Sequence, residues 1–357
     1  MKMLTVAVTN RLVIPIDEID RETKEELCAL FTYRNPTKAQ LMRVNKWAAM
    51  KEPDHIRTWR EEFVYGATCL TLPRGGASSL AKALAGRGVA FEFAGRRQPG
   101  LPAPSSPHRV ELWPHQRRIV EACIERENCI VRSPTGSGKS SSAINLASRL
   151  GVWTLVIVYD GGLFEQWVER LGKELGIARR KIGEVGAGKF SLKPITVAMQ
   201  QTMNRLDDDR WAEVERSFGA VICDEVQKFG AASFEKTIDR IPAKYRIGIS
   251  ASERRKDGKE FLIYDQFGDV AVDVSSTELI DAGLVHDVEV RVWPTEFEAD
   301  WYLEQQKANA GWTDKRGRGA DYVKLLGLIS EDAKRNELAA KIAADEVRFG
   351  HQVVLFC

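Results

Sequence analysis

Two short stretches carry the residue types that phosphoryl transfer needs. "SPTGSGKS" (133–140) follows the apolar run "CIVR" and opens an amphipathic stretch. Its glycines let backbone N–H groups wrap around phosphates. Thr135, Gly136, Ser137 and Gly138 would form the cradle, Lys139 would reach the outer phosphates, and the Ser140 hydroxyl would ligate Mg²⁺. The usual pattern begins with glycine where this chain has Ser133. "AVICDEVQ" (220–227) is an apolar run ending in two acids, with Asp224 lying 85 residues after Lys139 (224 − 139). Asp224 suits a water-bridged metal, and Glu225 suits polarising an attacking water. Alone, such a run is more often a strand entering a solvated turn. Together, a phosphate cradle, a metal acid and a base in one alternating chain form a nucleotide-hydrolysing set.

The elements that must position these residues follow a regular rhythm. From residue 109 onward, apolar strands (128–132, "WTLVIV", "ITVAM", "AVIC", "YRIGIS") alternate with helical patterns (114–126, 139–149, "LFEQWVERLGKEL", "AASFEKTIDRI"). That alternation predicts a parallel sheet covered on both faces, with ligands at the carboxyl ends of its strands. The fold class is α/β, a P-loop parallel sheet preceded by a small α+β module. In residues 1–94, "LTVAV", "RLVIPI", "CLTLPRG" and "VAFEF" read as strands. "DRETKEELCALF" reads as a helix capped by Asp20, and "SSLAKALAGRG" as a second helix. "GRRQPGLPAPSSPH" (95–108) holds four prolines and reads as an extended linker. The sheet lobe spans 109–293. Residues 294–357 read as a helical, charged connector ending in the apolar strand "QVVLFC".

Composition narrows the class. The net charge of +2 excludes a globally basic nucleic-acid binder. Residues 1–108 hold 16 Lys/Arg against 11 Asp/Glu, a mild tilt that suits phosphate contact and solvated surface about equally. Six scattered cysteines without a CxxC pair, and five scattered histidines, argue against a zinc site and for reduced thiols. No stretch has membrane-spanning length and the N-terminus lacks a leader pattern, so the expected location is the cytoplasm. In the front module, Arg43, Lys46, Trp47, Arg57, Trp59 and Arg60 interleave cations with aromatics. They suit nucleic-acid stacking or a small core about equally.

In ordered detail the chain resembles superfamily 2 DNA helicases and translocases, in the XPB-like and UvsW-like (DEAD/DEAH-box type) branch. "ELWPHQRRIVEACI" resembles the entry motif, and the resemblance implies that Gln116 reads adenine. "SPTGSGKS" matches motif I. "TLVIVYDGGLFEQWVERL" resembles motif Ia with an altered turn at Tyr159–Gly162. "ITVAMQQTM" resembles the segment in which Gln201 and Thr202 face the DNA backbone. "DEVQ" matches motif II, "SAS" (250–252) resembles motif III, and "RRKDG" stands where the branch carries an Arg-acid/Lys-Asp element. The resemblance implies a RecA-like lobe, ATP and Mg²⁺ as cofactors, and single-stranded, duplex or branched DNA as partner. It also implies coupling through Gln227, Ser250 and Ser252, and DNA contact by Gln201, Thr202, Arg255 and Lys256. Gln227 and Lys228 stand where the family commonly has histidines. Glutamine both donates and accepts hydrogen bonds, as histidine does, without titrating near neutral pH.

The implied function is an ATP-dependent DNA helicase or translocase. Alternatives are the motor of a restriction or remodelling complex, or a nucleotide-gated DNA-binding module. Only the first strand of a second RecA-like lobe is expected within the chain. By itself it should bind ATP and DNA but turn ATP over weakly, because an arginine finger from such a lobe is worth roughly 10³–10⁵ in related sites.

Overall fold

The computed structural model describes residues 3–229, 231–252, 254–255, 257–287, 290–302 and 324–354. The chain divides into two compact units, Met1–Pro36 with Asp54–His286, and Thr37–Pro53 with Asp287–Cys357. Among the described residues the first unit carries fifteen strands: β1 Leu4–Val8, β2 Arg11–Pro15, β3 Thr32–Arg34, β4 His55–Arg57, β5 Arg60–Val64, β6 Ala67–Pro73, β7 Phe91–Gly95, β8 Asn128–Arg132, β9 Thr154–Val158, β10 Gly183–Gly186, β11 Lys189–Ser191, β12 Ile195–Met199, β13 Ala220–Asp224, β14 Tyr245–Ser250 and β15 Val270–Asp273.

Eight strands form one sheet in the order β11-β10-β12-β9-β13-β14-β8-β15, parallel except where β10 meets β11. Strands β9 and β13 are buried along their whole length, which is why their sequences are continuous apolar runs. Their side chains alternate between two cores. Val156, Val158 and Ile222 pack with Ile119, Ile144, Trp167 and Leu171. Leu155, Ile157 and Val221 pack with Trp211, Val214, Phe218 and Ile263 on the other face. Because β14 lies between β8 and β13, the loop after β8 and the acids ending β13 stand two strand spacings apart, roughly 10 Å. That gap suits a phosphate chain with its metal.

In the front module the order is β5-β6-β2-β1-β7, antiparallel except for β1 with β7. Leu4, Val6, Leu12, Ile14, Leu70 and Leu72 bury one face against Leu27, Leu80 and Leu84 of the helices Arg21–Leu30 and Ala77–Gly86. Asp20 caps the first helix by accepting from the Thr23 backbone N–H, as its sequence predicts.

This module is not a separate body. Arg11 pairs with Asp239 at 2.7 Å, and Arg60 reaches Asp239 and Glu235 at 2.9 Å each. Arg74 donates to the Ala243 and Lys244 carbonyls at 2.5 and 2.7 Å. Arg246, fully buried, donates to the Asn10 carbonyl at 3.2 Å. The stretch 95–108 departs from a free linker in the same way. Its backbone N–H groups at Gln98, Leu101 and Ala103 donate to the carbonyls of Pro242, Ser217 and Gly151. Gly100, at φ +79°, crosses Gly219 so closely that a Cβ on it would lie 2.1 Å from the Gly219 nitrogen. The prolines therefore stiffen a strap rather than a spacer. In the second unit the helix Ala333–Arg348 is present, while His351–Val354 form neither helix nor strand.

At the same junction, Tyr33 and Thr58 donate to the two oxygens of Asp265 at 2.8 and 2.6 Å. Burial raises Asp265 from the ordinary 3.8 to about 6, against the opposing pull of those two bonds. The folded protein thus holds this proton more tightly than the unfolded chain. The resulting stability is fully present below about 3.8 and is lost as pH rises through about 6. Asp265→Asn should therefore gain stability relative to wild type as pH rises from 4 to 7, by up to about 3 kcal/mol. Urea unfolding of both proteins at stepped pH measures this, and a difference independent of pH contradicts it.

Candidate nucleotide site

The loop 133–138 is held in shape by its own hydroxyls and by the helix Pro114–Arg126. The Ser133 backbone N–H donates to the Ser250 carbonyl at 3.0 Å, tying the loop to the end of β14. Ser133 Oγ donates to Ser137 Oγ at 2.6 Å, and Ser137 Oγ donates to the Pro134 carbonyl at 2.7 Å. This hydroxyl chain gives the serine at the loop's first position a job that glycine could not do. Gly136 and Gly138 have φ of +87° and +75°, the left-handed region that favours glycine. The Ser137 carbonyl accepts from His115 Nε2 at 2.8 Å and from Gln116 Nε2 at 3.1 Å. Gln116 Oε1 in turn accepts from the Trp113 N–H at 3.0 Å. A Cβ at Gly138 would sit 2.1 Å from Gln116 Nε2, so a larger residue there would displace the Gln116 amide. Gln116 thus flanks the loop with both ends of its amide engaged. His115 was not legible as a site residue, because nothing in its spacing distinguishes it from a packed helix residue.

Lys139 begins the helix Lys139–Leu150, and its Nζ donates to the Pro134 carbonyl at 3.1 Å. Burial lowers its pKa, while nearby Glu225 and Asp224 oppose that. Asp224 is 3% exposed at the end of β13. One of its oxygens accepts from Trp167 Nε1 at 2.8 Å and the other from the Glu225 backbone N–H at 3.0 Å. Burial raises its pKa, the Trp167 bond counters, and the adjacent Glu225 charge adds to the rise. Glu225 adopts φ +54° and ψ 49°, a left-handed conformation that costs a non-glycine residue about 1–3 kcal/mol and that clusters at functional sites.

Gln227 joins two of these strand ends. Its Nε2 donates to Glu225 Oε2, and its Oε1 accepts from Ser250 Oγ at 2.5 Å. The orientation is forced, because a carboxylate only accepts and so must face the NH₂ end. Ser250 Oγ also lies against the Ser252 carbonyl and accepts from the Ser252 N–H at 3.0 Å.

The remaining expected residues divide. Gln201 and Thr202 sit on the short helix Gln200–Met203 directly after β12, exposed and half-exposed at that strand's carboxyl end. Arg255 does not face outward. Its side chain is 4% exposed, fork-bonded to Asp257 at 2.9 and 2.8 Å, and donates to the Phe229 carbonyl at 2.6 Å. It is committed to clamping two loops, so a DNA-phosphate role is not supported for it. Lys256 lies outside the described residues. At the altered turn, Lys228 donates to the Tyr159 hydroxyl at 2.9 Å, and Asp160 caps the helix Gly161–Leu175 through the Leu163 N–H at 2.8 Å. In the front module Arg60 is half-buried and paired with Glu235 and Asp239. Trp59 donates to Thr32 at 3.0 Å, while Trp47 stands 81% exposed.

Among the described residues no three or more His, Cys, Asp or Glu side chains cluster to hold a metal. The available donors are hard oxygens, the Asp224 carboxylate and the Ser140 hydroxyl. That set fits Mg²⁺, which keeps several waters and binds through one or two carboxylates plus substrate phosphates. No described helix is long and apolar enough to cross a membrane.

Residues 109–255 match the family "Type III restriction enzyme, res subunit". A putative DNA 3'-5' helicase Rad25 from Halobacterium salinarum is 30% identical over 209 residues, 58% of this chain and 34% of that protein. A probable helicase D10 from Escherichia phage T5 is 32% identical over 186 residues, 51% of this chain and 39% of that protein. The chain therefore spans between a third and two fifths of these relatives' length. The UvsW helicase of Bacteriophage T4 superimposes with a TM-score of 0.55 at 18% identity, covering 75% of this chain and 99% of that one, a likeness of fold. Residues 109–255 are thus similar in sequence to this family and to these helicases, and the chain shares the fold of the UvsW helicase.

Proposed function

We propose that this chain is the ATP-binding part of an ATP-dependent DNA helicase or translocase acting on DNA, branched intermediates included. The observation that carries the reading is convergence at the carboxyl ends of neighbouring parallel strands. The phosphate loop after β8, the bridge at the end of β14 and the acids ending β13 stand side by side. Gln201 and Thr202 follow β12 at its own carboxyl end. In this reading residues 109–293 form the first RecA-like lobe, residues 1–94 an accessory module fused to it, and 294–357 a connector. Thr135, Gly136, Ser137, Gly138 and Lys139 cradle the phosphates, and Gln116 exchanges its present bonds to read adenine. Ser140 and Asp224 hold Mg²⁺, which would neutralise charge building on the phosphates. Glu225 orients and deprotonates the attacking water. Gln201 and Thr202 face the DNA backbone.

The test compares ATP turnover without nucleic acid and with single-stranded, duplex and forked DNA, alongside DNA binding with and without ATP. Stimulation by DNA, or tightening of DNA by ATP, supports the reading. Indifference to every nucleic acid overturns it. The family description favours one second reading, the motor of a restriction complex. That reading predicts turnover dependent on long duplex and indifferent to forks.

Gln227 supplies a finer prediction. Its amide links Glu225 to Ser250, so Gln227→Ala should hold ATP affinity within about twofold while removing most of the DNA-stimulated turnover, since the bond lost is worth about 1–2 kcal/mol in geometry rather than in phosphate binding. An equal loss of ATP affinity would contradict a coupling role.

A further inference from the structure

Trp167 lies on the helix Gly161–Leu175, whose apolar face also presents Phe164, Val168, Leu171 and Leu175 to the sheet. By position it is a core residue, and it is 2% exposed. A core filler, however, needs no polar atom, and a buried indole N–H must find an acceptor. Here the acceptor is Asp224 Oδ2 at 2.8 Å, across 57 residues of sequence. The other Asp224 oxygen is fixed by the Glu225 N–H at 3.0 Å. Each carboxylate oxygen has two lone pairs, so two sites are occupied and two stay open. The two bonds come from rigid donors, a packed ring and a backbone amide. Together they fix the rotation of the carboxylate about its terminal torsion, which is otherwise broad.

Resting on the placement of Mg²⁺ proposed above, we infer that Trp167 is a positioning residue for the metal: its indole N–H sets the orientation in which Asp224 presents its free lone pairs. Outer partners of this kind, hydrogen-bonded to a metal-binding side chain, typically change metal affinity by about 10–100-fold when removed. The N–H also keeps a nearly water-free carboxylate supplied with a donor, which a phenyl ring could not do.

The experiment measures the dissociation constant of a ribose-labelled fluorescent ATP analogue by polarisation, in EDTA and at saturating Mg²⁺. It uses wild type, Trp167→Phe, and a chain carrying benzothienylalanine at 167. The last keeps the two-ring shape and replaces N–H with sulfur. Expected is an EDTA affinity unchanged within about twofold in both variants, with the Mg²⁺-dependent tightening reduced about tenfold or more. A purely structural role predicts instead that Trp167→Phe weakens both conditions alike and that the isostere matches wild type. Either result overturns the inference. If the Phe variant does not fold, the isostere alone decides. Asp224→Asn separates the two layers. Its loss of Mg²⁺-dependent tightening with the isostere unaffected overturns Trp167's role alone. Retention of full tightening by Asp224→Asn overturns the metal placement and the Trp167 role together.

Discussion

Glu225→Gln is expected to leave Mg²⁺-dependent ATP binding within about twofold of wild type while single-turnover hydrolysis falls by about 10²–10⁴-fold, the usual contribution of a positioned general base. The substitution is close to isosteric. A glutamine carbonyl at 225 can still accept from Gln227 Nε2, so the bridge to Ser250 can survive. The left-handed backbone at 225 carries the same strain in both proteins. What is lost is the negative charge and the ability to take a proton from water. Single turnover with protein in excess reads this step even when steady-state turnover is weak. A fall of less than about tenfold would remove Glu225 from the chemistry. A parallel loss of ATP binding would make it a structural residue.

The second large effect is on stability. Asp239→Ala is expected to lower the unfolding free energy by about 3–5 kcal/mol, the range for removing one partner of a buried ion pair. Asp239 accepts from Arg11 at 2.7 Å, Arg60 at 2.9 Å and Gln266 at 3.1 Å, and its backbone carbonyl accepts from Asn10. Arg11 is 3% exposed and would lose its ion-pair partner in the junction between the two sheets. Replacing both partners by apolar residues, Arg11→Met with Asp239→Leu, should recover most of the loss, because the desolvation cost disappears with the charges. Urea unfolding of the single and double variants provides the comparison. A loss below about 1 kcal/mol in Asp239→Ala would mean that the pair behaves as a surface salt bridge.

Much of the site could be read from the sequence because its chemistry is local. Gly136, Gly138 and Lys139 sit within four residues, and Asp224 and Glu225 are adjacent at the end of an apolar run. The central strands were equally plain, since burial on both faces writes a continuous apolar sequence. The edges of the fold were not legible. β5, "REEFV", opens with three charged residues and shows no strand pattern of its own; backbone pairing with β6 makes it a strand, while the Arg60 side chain finds Glu235 175 positions away. The proline-rich stretch 95–108 resembles a spacer by composition. Only the distant carbonyls of Ser217 and Pro242 show that its N–H groups are bonded. Arg255 looked like a surface cation for the same reason, until the Phe229 carbonyl and Asp257 turned it inward. Trp167 was visible only as part of a family-like segment, because its hydrogen bond to Asp224 joins two elements that sequence spacing does not relate.

Every role proposed for this site depends on ATP binding at the loop 133–140. The most direct measurement is equilibrium binding of a labelled ATP analogue, with Mg²⁺, to the wild-type chain and to Lys139→Ala. A charge-assisted contact to phosphate predicts saturable binding to one site in wild type and a weakening of about tenfold or more in the variant. Equal affinity in the two proteins, both folded by thermal melting, would contradict it.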